Sequence, residues 1–267
     1  MPIHPTAIIH PNARIAGDVE IGPYVCIEGV AEIGPGCVIL AHAVLVGVVK
    51  MGSNNRIGHG AILGAPSQHL AHGPGHPGQV IIGNGNTIRE LATIHRSTAE
   101  GGSTRVGDGC YLMAGTHLGH DSALGDGVII ANNSLLGGHV HVADKVFIGG
   151  GCVFHQFVRV GRLAIAQGAS AFSKDIPPFT LAAERNTVAG LNSVGLRRAG
   201  LDAAQRQEIK AAFRLLYKSG LNTAQALEAA ADLEWGAEGR EFWDFVRDAK
   251  KRGICDLLET GRGAEIE

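Results

Sequence analysis

Thirteen histidines stand in a chain of 267 residues, and their spacing is more telling than their number. His120 follows Leu118 by two; eighteen residues further comes Gly138, beside His139, and eighteen beyond that Gln156, beside His155. A chain that coils every eighteen residues stacks these positions in one column, with successive coils about 5 Å apart. Imidazoles exchange protons near neutral pH, so such a column can address one extended substrate. Taken singly, each histidine is as well explained by surface exposure or subunit packing. The five cysteines (Cys26, Cys37, Cys110, Cys152 and Cys255) are odd in number, dispersed and without a CxxC pair, which argues against a disulfide framework and a zinc knuckle.

The eighteen-residue coil has its own signature. Steps of six from Ile3 land on Ile9, Ile15, Ile21, Ile27, Ile33, Ile39, Leu45, Met51, Ile57 and Leu63, without a polar residue among them. The period returns at Ile82, Ile88 and Ile94 and again from Val106 to Val160, then fades at Ala166 and Phe172. Four residues after most hits stands a small residue such as Ala7, Ala43 or Ala61; Cys37, Cys110 and Cys152 fall there, so small core packing is their expected role. Neither a helical period of 3.6 nor strand alternation of 2 produces a strict six. Six matches the hexapeptide β-helix, in which each hexad makes a short strand and a turn and stacked coils bury a continuous core. At three hexads per coil, residues 3–179 give about ten coils, a prism about 45 Å tall. The composition suits it: 39 glycines for tight turns and only 5% aromatic residues.

Two stretches break the rhythm. Gln68 to Gly78, with His69, His72 and His76, reads as a loop ejected from the prism, and Glu100 to Arg105 lacks an apolar hexad start but is six residues long. Loops leaving a rigid scaffold are common places for function. After Pro177-Pro178 the pattern turns helical: Ile209, Phe213 and Leu216 share a face over 202–218 with Gly220 as the stop, Thr223 is a candidate cap for a second helix, and Phe242, Phe245, Val246 and Ala249 line a third. The division expected is 1–190 for the β-helix and 191–267 for a small helical domain. A net charge of −2 disfavours nucleic acid and anionic membranes as partners. No apolar run approaches the ~20 residues of a membrane span, and Met1 to Pro11 lacks the basic flank and apolar stretch of a signal peptide. A cytoplasmic protein without stable membrane insertion is expected.

The ordered segments His117-Leu-Gly-His120-Asp121, Gly137-Gly138-His139-Val140, His155-Gln156-Phe157, Asp175-Ile-Pro-Pro and Gly195-Leu-Arg-Arg198 resemble the UDP-N-acetylglucosamine O-acyltransferase family, which takes acyl groups from acyl carrier protein and opens lipid A synthesis. The resemblance runs from the first hexad into the helical tail. It implies a homotrimer of left-handed parallel β-helices with active sites between neighbouring prisms. It also implies transfer of an (R)-3-hydroxyacyl group to the 3-hydroxyl of a UDP-sugar. His120 would be the general base, since an imidazole can take the proton of a sugar hydroxyl as it attacks a thioester. Gly138 N–H would receive the oxyanion, and Asp121 would orient or charge-balance the imidazole, although neighbours in an extended segment tend to face opposite ways. Gln68, His69, His95, His117, His139, His155, Gln156 and Asn192 carry over as substrate-binding positions. Arg198 would sit near the UDP phosphates, and Gly168 would leave room for an acyl chain of more than about ten carbons. Gly195 to Gly220 carries a net +4, a patch suited to steering an acidic acyl carrier protein. The thioester is already activated, so no metal or organic cofactor is required.

The chain departs from the family in the acceptor loop: His69 stands where an acid is usual and Ala71 where a lysine is usual, and Ala199 replaces a second arginine after Arg198. The catalytic positions are kept while acceptor recognition is altered, which leaves open an N-acyltransferase acting on a 3-amino UDP-sugar. A zinc β-helix lyase would need three histidines from neighbouring prisms, and His117 and His120 are closer together than that family shows. An assembly module would leave the His120 column without a purpose. The later N-acyltransferase of the pathway usually carries a further domain before its repeat, whereas hexads here start at Ile3.

Overall fold

The computed structural model describes residues 3–71, 73, 75, 77–249 and 252–258, so His72 and His76 of the first loop lie outside it. The hexads form a left-handed parallel β-helix of three sheets. One sheet stacks nine strands from Ile8–Ile9 to Ala171–Phe172, a second stacks eight from Arg14–Ile15 to Arg159–Val160, and the third, starting at Glu20–Ile21, has eleven. Most strands are two residues long, one half pointing out and the other, the hexad aliphatic, pointing in. Ile27, Ile39, Leu45, Ile57, Leu63, Ile88, Ile94, Leu112 and Leu118 are fully buried in one continuous core.

Pairing shows where the period is interrupted. Cys26 pairs with Val44, the regular eighteen residues on, but Leu63 pairs with Ile94, 31 residues on, and Ile94 with Leu118, 24 on. The two excursions, thirteen and six residues long, use up a coil's worth of chain, so nine strands stack where about ten coils are expected from length. The shorter excursion is also displaced from its expected place. Ser103–Val106 is a strand with Thr104 fully buried, and the extra residues precede it, between His95 and Ser103.

The small fourth position does more than pack. The thiols of Cys37, Cys110 and Cys152 donate to the carbonyls of Gly52, Gly125 and Gln167, at 3.1, 3.1 and 3.0 Å. Ser134 makes the same bond to Gly149 at 2.7 Å, and Ser122 to Gly137 at 3.1 Å. A turn carbonyl that faces the core is thereby satisfied.

Past the last hexads, Thr180–Ala183 and Thr187–Leu191 form an antiparallel hairpin, and Asp256–Leu257 returns to pair with it. Between them lie α1 (Ser193–Arg198), which the hydrophobic pattern did not reveal, α2 (Ala203–Tyr217), α3 (Thr223–Ala231) and α4 (Ala237–Arg247). Asn222, rather than Thr223, caps α3: its side chain accepts from Gln225 N–H while Gln225 accepts from Asn222 N–H. Leu196, Ile209, Leu216, Ala230, Phe242 and Val246 make a second core. Two arginines fasten it to the prism: Arg159 pairs with buried Asp175 at 2.8 Å and donates to Phe245 O, and Arg162 pairs with Glu241 at 2.7 Å. Among the described residues, no helix is long and apolar enough to cross a membrane.

Candidate active site

Five successive corners of the prism, all joining the first sheet to the second, lie one above another. The strands Ile62–Ala65, Thr93–His95, His117–Leu118, Leu135–Leu136 and Val153–Phe154 lead into them. Both excursions leave from this column, at its first and second corners. The third corner carries His120 and Asp121, the fourth Gly138 and His139, the fifth Gln156 and Phe157. Rigid turns therefore present the side chains, and the two excursions form a wall beside them.

A cleft of about 200 Å³ opens here, lined by Gln68, His69, His95, His117, His120 and Gln156 with the glycines of the corners. Asp121 does not face away from His120. Its backbone takes φ +62, a left-handed corner conformation, which swings the carboxylate back so that Oδ2 lies 2.9 Å from His120 Nδ1. On the opposite side the imidazole meets bare backbone: a β-carbon built on Gly138 would lie 2.6 Å from His120 Nε2. Among the described residues no hydrogen bond engages Gly138 N–H, so that donor and the His120 ring share one small space.

The remaining imidazoles surround this pair edge to face. The rings of His69 and His139 lie 5.6 and 5.2 Å from that of His120, and His95 lies 5.0 Å from His117. His117 bonds through Nδ1 to Thr93 Oγ1 at 2.8 Å; burial, helped by the neighbouring His95, pushes it down to about 4, so it is neutral at pH 7. Burial also lowers His95, against a bond to the Pro66 carbonyl that acts the other way. His139 is lowered by burial more than Asp121 raises it, with His120 adding to the lowering. For Asp121, burial raises the carboxyl, but hydrogen bonds from Ser97, His120 and Thr98 prevail and hold it at about 2.

His120, Asp121 and His139 offer ligand atoms within 4.8 Å of one another, the makings of a cation site. Oδ2, the carboxylate oxygen that faces both imidazoles, is already occupied, however, by Thr98 N–H, Thr98 Oγ1 and His120 Nδ1, while Oδ1 accepts from Ser97 Oγ. Sequence periodicity missed Ser97, Thr98 and Thr104, whose hydroxyl accepts from Asp121 N–H at 2.8 Å. They sit 24, 23 and 17 residues before Asp121; the nearest signal was the broken rhythm around residue 100.

Other expected residues lie apart. His155 lines a separate, mostly apolar groove of about 290 Å³ with Phe154, Phe172 and Arg185. His139 stacks on Phe157 at 4.5 Å, beside the cleft rather than in its lining. Gly168 is exposed at a different corner. Asn192 caps α1, accepting from Gly195 N–H at 2.9 Å and donating to Leu163 O at 2.8 Å, so its amide is engaged in the fold. Arg198 is exposed in the last turn of α1, and Arg197, Arg206 and Lys210 line a groove of about 280 Å³.

Residues 103–138 match the family described as bacterial transferase hexapeptide (six repeats), and residues 175–255 match UDP N-acetylglucosamine O-acyltransferase, domain 2. A curated relative from Halorhodospira halophila, an acyl-[acyl-carrier-protein]–UDP-N-acetylglucosamine O-acyltransferase, is 42% identical over 94% of this chain and 98% of its own. The solved UDP-N-acetylglucosamine acyltransferase of Bacteroides fragilis superposes with a TM-score of 0.88 at 38% identity, covering 94% of this chain and 99% of that one. The solved LpxA of Acinetobacter baumannii gives 0.90 at 37%, covering 95% of this chain and 99% of that one.

Proposed function

The chain belongs to the UDP-N-acetylglucosamine O-acyltransferase family, and from that premise we propose that it transfers an (R)-3-hydroxyacyl group from acyl carrier protein to the 3-hydroxyl of UDP-N-acetylglucosamine, the first step of lipid A biosynthesis. The observation that carries the mechanism is the placement of His120 between the Asp121 carboxylate and Gly138. Asp121 keeps the proton of the neutral ring on Nδ1, leaving the Nε2 lone pair as the base. Nε2 takes the 3-hydroxyl proton as the oxygen attacks the thioester carbonyl. The oxyanion is received by Gly138 N–H. Collapse breaks the carbon–sulfur bond, and the thiolate of the carrier leaves with the proton held by His120.

Gln68, His69, His95, His117 and Gln156 hold the acceptor in this scheme, being the other side chains of the cleft. Gly168, Asn192 and Arg198 lie outside it and serve the sites of a homotrimer from the neighbouring prism. Exposed apolar columns support that assembly: Ile129 and Phe147 stack on one sheet, Leu135 and Val153 on the next. The basic groove of Arg197, Arg206 and Lys210 suits an acidic carrier protein, and no metal or organic cofactor takes part. The cytoplasm, where soluble acyl carrier and nucleotide sugar meet, is the expected compartment.

A second reading has one specific observation behind it. His69, in the position usually acidic, stands edge-on to His120, and an amine nucleophile at the sugar C3 has less need of a carboxylate beside it than a hydroxyl that must be held and deprotonated. Incubation with 3-hydroxytetradecanoyl carrier protein and UDP-N-acetylglucosamine, beside the 3-amino analogue and H120A, separates the two by mass spectrometry. Product from the ordinary sugar that disappears in H120A supports the O-acyltransferase. Product from the amino sugar alone moves the assignment to amide formation.

A further inference from the structure

We infer that Thr98, assisted by Ser97, is a positioning residue that sets the orientation of the Asp121 carboxylate and thereby the tautomer of His120; the catalytic part of this inference rests on the function proposed above. Asp121 sits at the tip of a turn, and a free carboxylate there can rotate about its own side-chain bonds. Three residues of the preceding coil prevent it. Thr98 gives Oδ2 both its backbone N–H, at 3.1 Å, and its hydroxyl, at 2.8 Å. Ser97 Oγ binds Oδ1, and Thr104 Oγ1 anchors the Asp121 N–H. With these donors placed, the remaining direction of Oδ2 is toward His120 Nδ1 at 2.9 Å.

The clamp has a competitor to exclude. His139 Nε2 lies 3.7 Å from the same Oδ2, so a carboxylate turned modestly would serve His139 and release His120. His120 would then interconvert between tautomers, and the form protonated on Nε2 has no lone pair for the acceptor hydroxyl. Thr98 is the cleaner probe of the two, because Ser97 Oγ also accepts from Ala99 N–H at 3.0 Å and so shapes its own loop. The register explains why the clamp exists: only the six-residue excursion leaving the corner below brings these two residues over Asp121. The titratable groups facing His120 are Asp121 on its own turn, His69 from the long loop, His95 from the coil before and His139 from the coil after.

The test compares wild type with T98V, T98A, T98S and S97A in the full chain, by steady-state acyl transfer across pH and by 15N NMR of selectively labelled histidines. Wild-type His120 is expected as the Nδ1–H tautomer. T98V and T98A are expected to lower kcat about tenfold with KM within about twofold, to move the acidic limb of kcat/KM to lower pH as the imidazolium loses its partner, and to mix the His120 tautomers; T98S restores all three. T98V and T98A that fold, keep wild-type kcat and leave the tautomer unchanged would overturn the inference, as would a kcat loss with no change in tautomer or pH limb. If wild type acylates neither sugar, the functional reading falls, while the NMR comparison still decides on the clamp.

Discussion

The backbone of Gly138 packs so closely on His120 that a β-carbon would stand 2.6 Å from both Nε2 and Cε1 of the imidazole. The atoms it would meet are the end of the His120 side chain, which Asp121 holds through Nδ1, so either the ring gives up that bond or the corner must move. G138A is therefore expected to lower kcat by about 100-fold, the scale of a displacement near 1 Å. Its melting temperature should stay within a few degrees of wild type, because the change is at a turn beside the cleft. Kinetics and a thermal melt of the same preparation check both statements.

D121N keeps the shape of the clamp but removes the charge that accompanies the imidazolium. A kcat loss of roughly 100-fold or more is expected, by analogy with neutralised carboxylate partners of catalytic histidines. The acid stability changes as well. With a folded-state value of about 2 against an unfolded value near 3.9, Asp121 contributes stability that is fully present above about pH 4 and lost as pH falls through 2. Denaturant midpoints between pH 5 and 2 should fall less steeply in D121N.

His117 gives linkage of the same sign from the opposite cause, a charged form that burial disfavours rather than one that hydrogen bonds favour. Its folded-state value of about 4 lies below the ordinary histidine value near 6.5, so the unfolded chain takes up the proton first and stability drops as pH falls from about 6.5 to 4. H117Q should flatten the stability profile over that window. In wild type, NMR titration should show His117 neutral at pH 6 and titrating near 4.

R159A leaves the Asp175 carboxylate, 3% exposed, without its guanidinium. Removing one partner of a buried pair costs about 3 kcal/mol, and here the loss falls where the prism meets α4, since Arg159 also bonds to Phe245 O and stacks on the Phe245 ring. Chemical denaturation should show the loss. D175N added to R159A should recover part of it, because the stranded charge is gone.

The hexads declared the prism because an inward aliphatic is required at every strand of every coil: Ile27, Ile39 and Leu112 could not be polar without an unsatisfied group in the core. The column from His120 through Gly138 to Gln156 was legible for the same reason, since those corners keep the regular eighteen-residue spacing. Ser97 and Thr98 were not, because an excursion shifts their register and nothing in a six-residue period records where it begins. The direction of Asp121 was hidden too: its left-handed φ is a property of the corner, shared with residues as unlike as His42, Asn133 and Lys145. Asn192 carries a structural role that the residue pattern did not show: its amide caps helix α1.

The two ends of the prism differ. At the C-terminal end the hairpin Thr180–Leu191, the strand Asp256–Leu257 and helices α1 to α4 follow the last coils. At the N-terminal end the strands Ile8–Ile9 and Arg14–Ile15 are terminal in their sheets. An open end of a stack of parallel strands is a template on which another chain can pair. A molecule cut after Phe172 is therefore expected to expose strand edges on which the intact chain lays the hairpin Thr180–Leu191 and Asp256–Leu257.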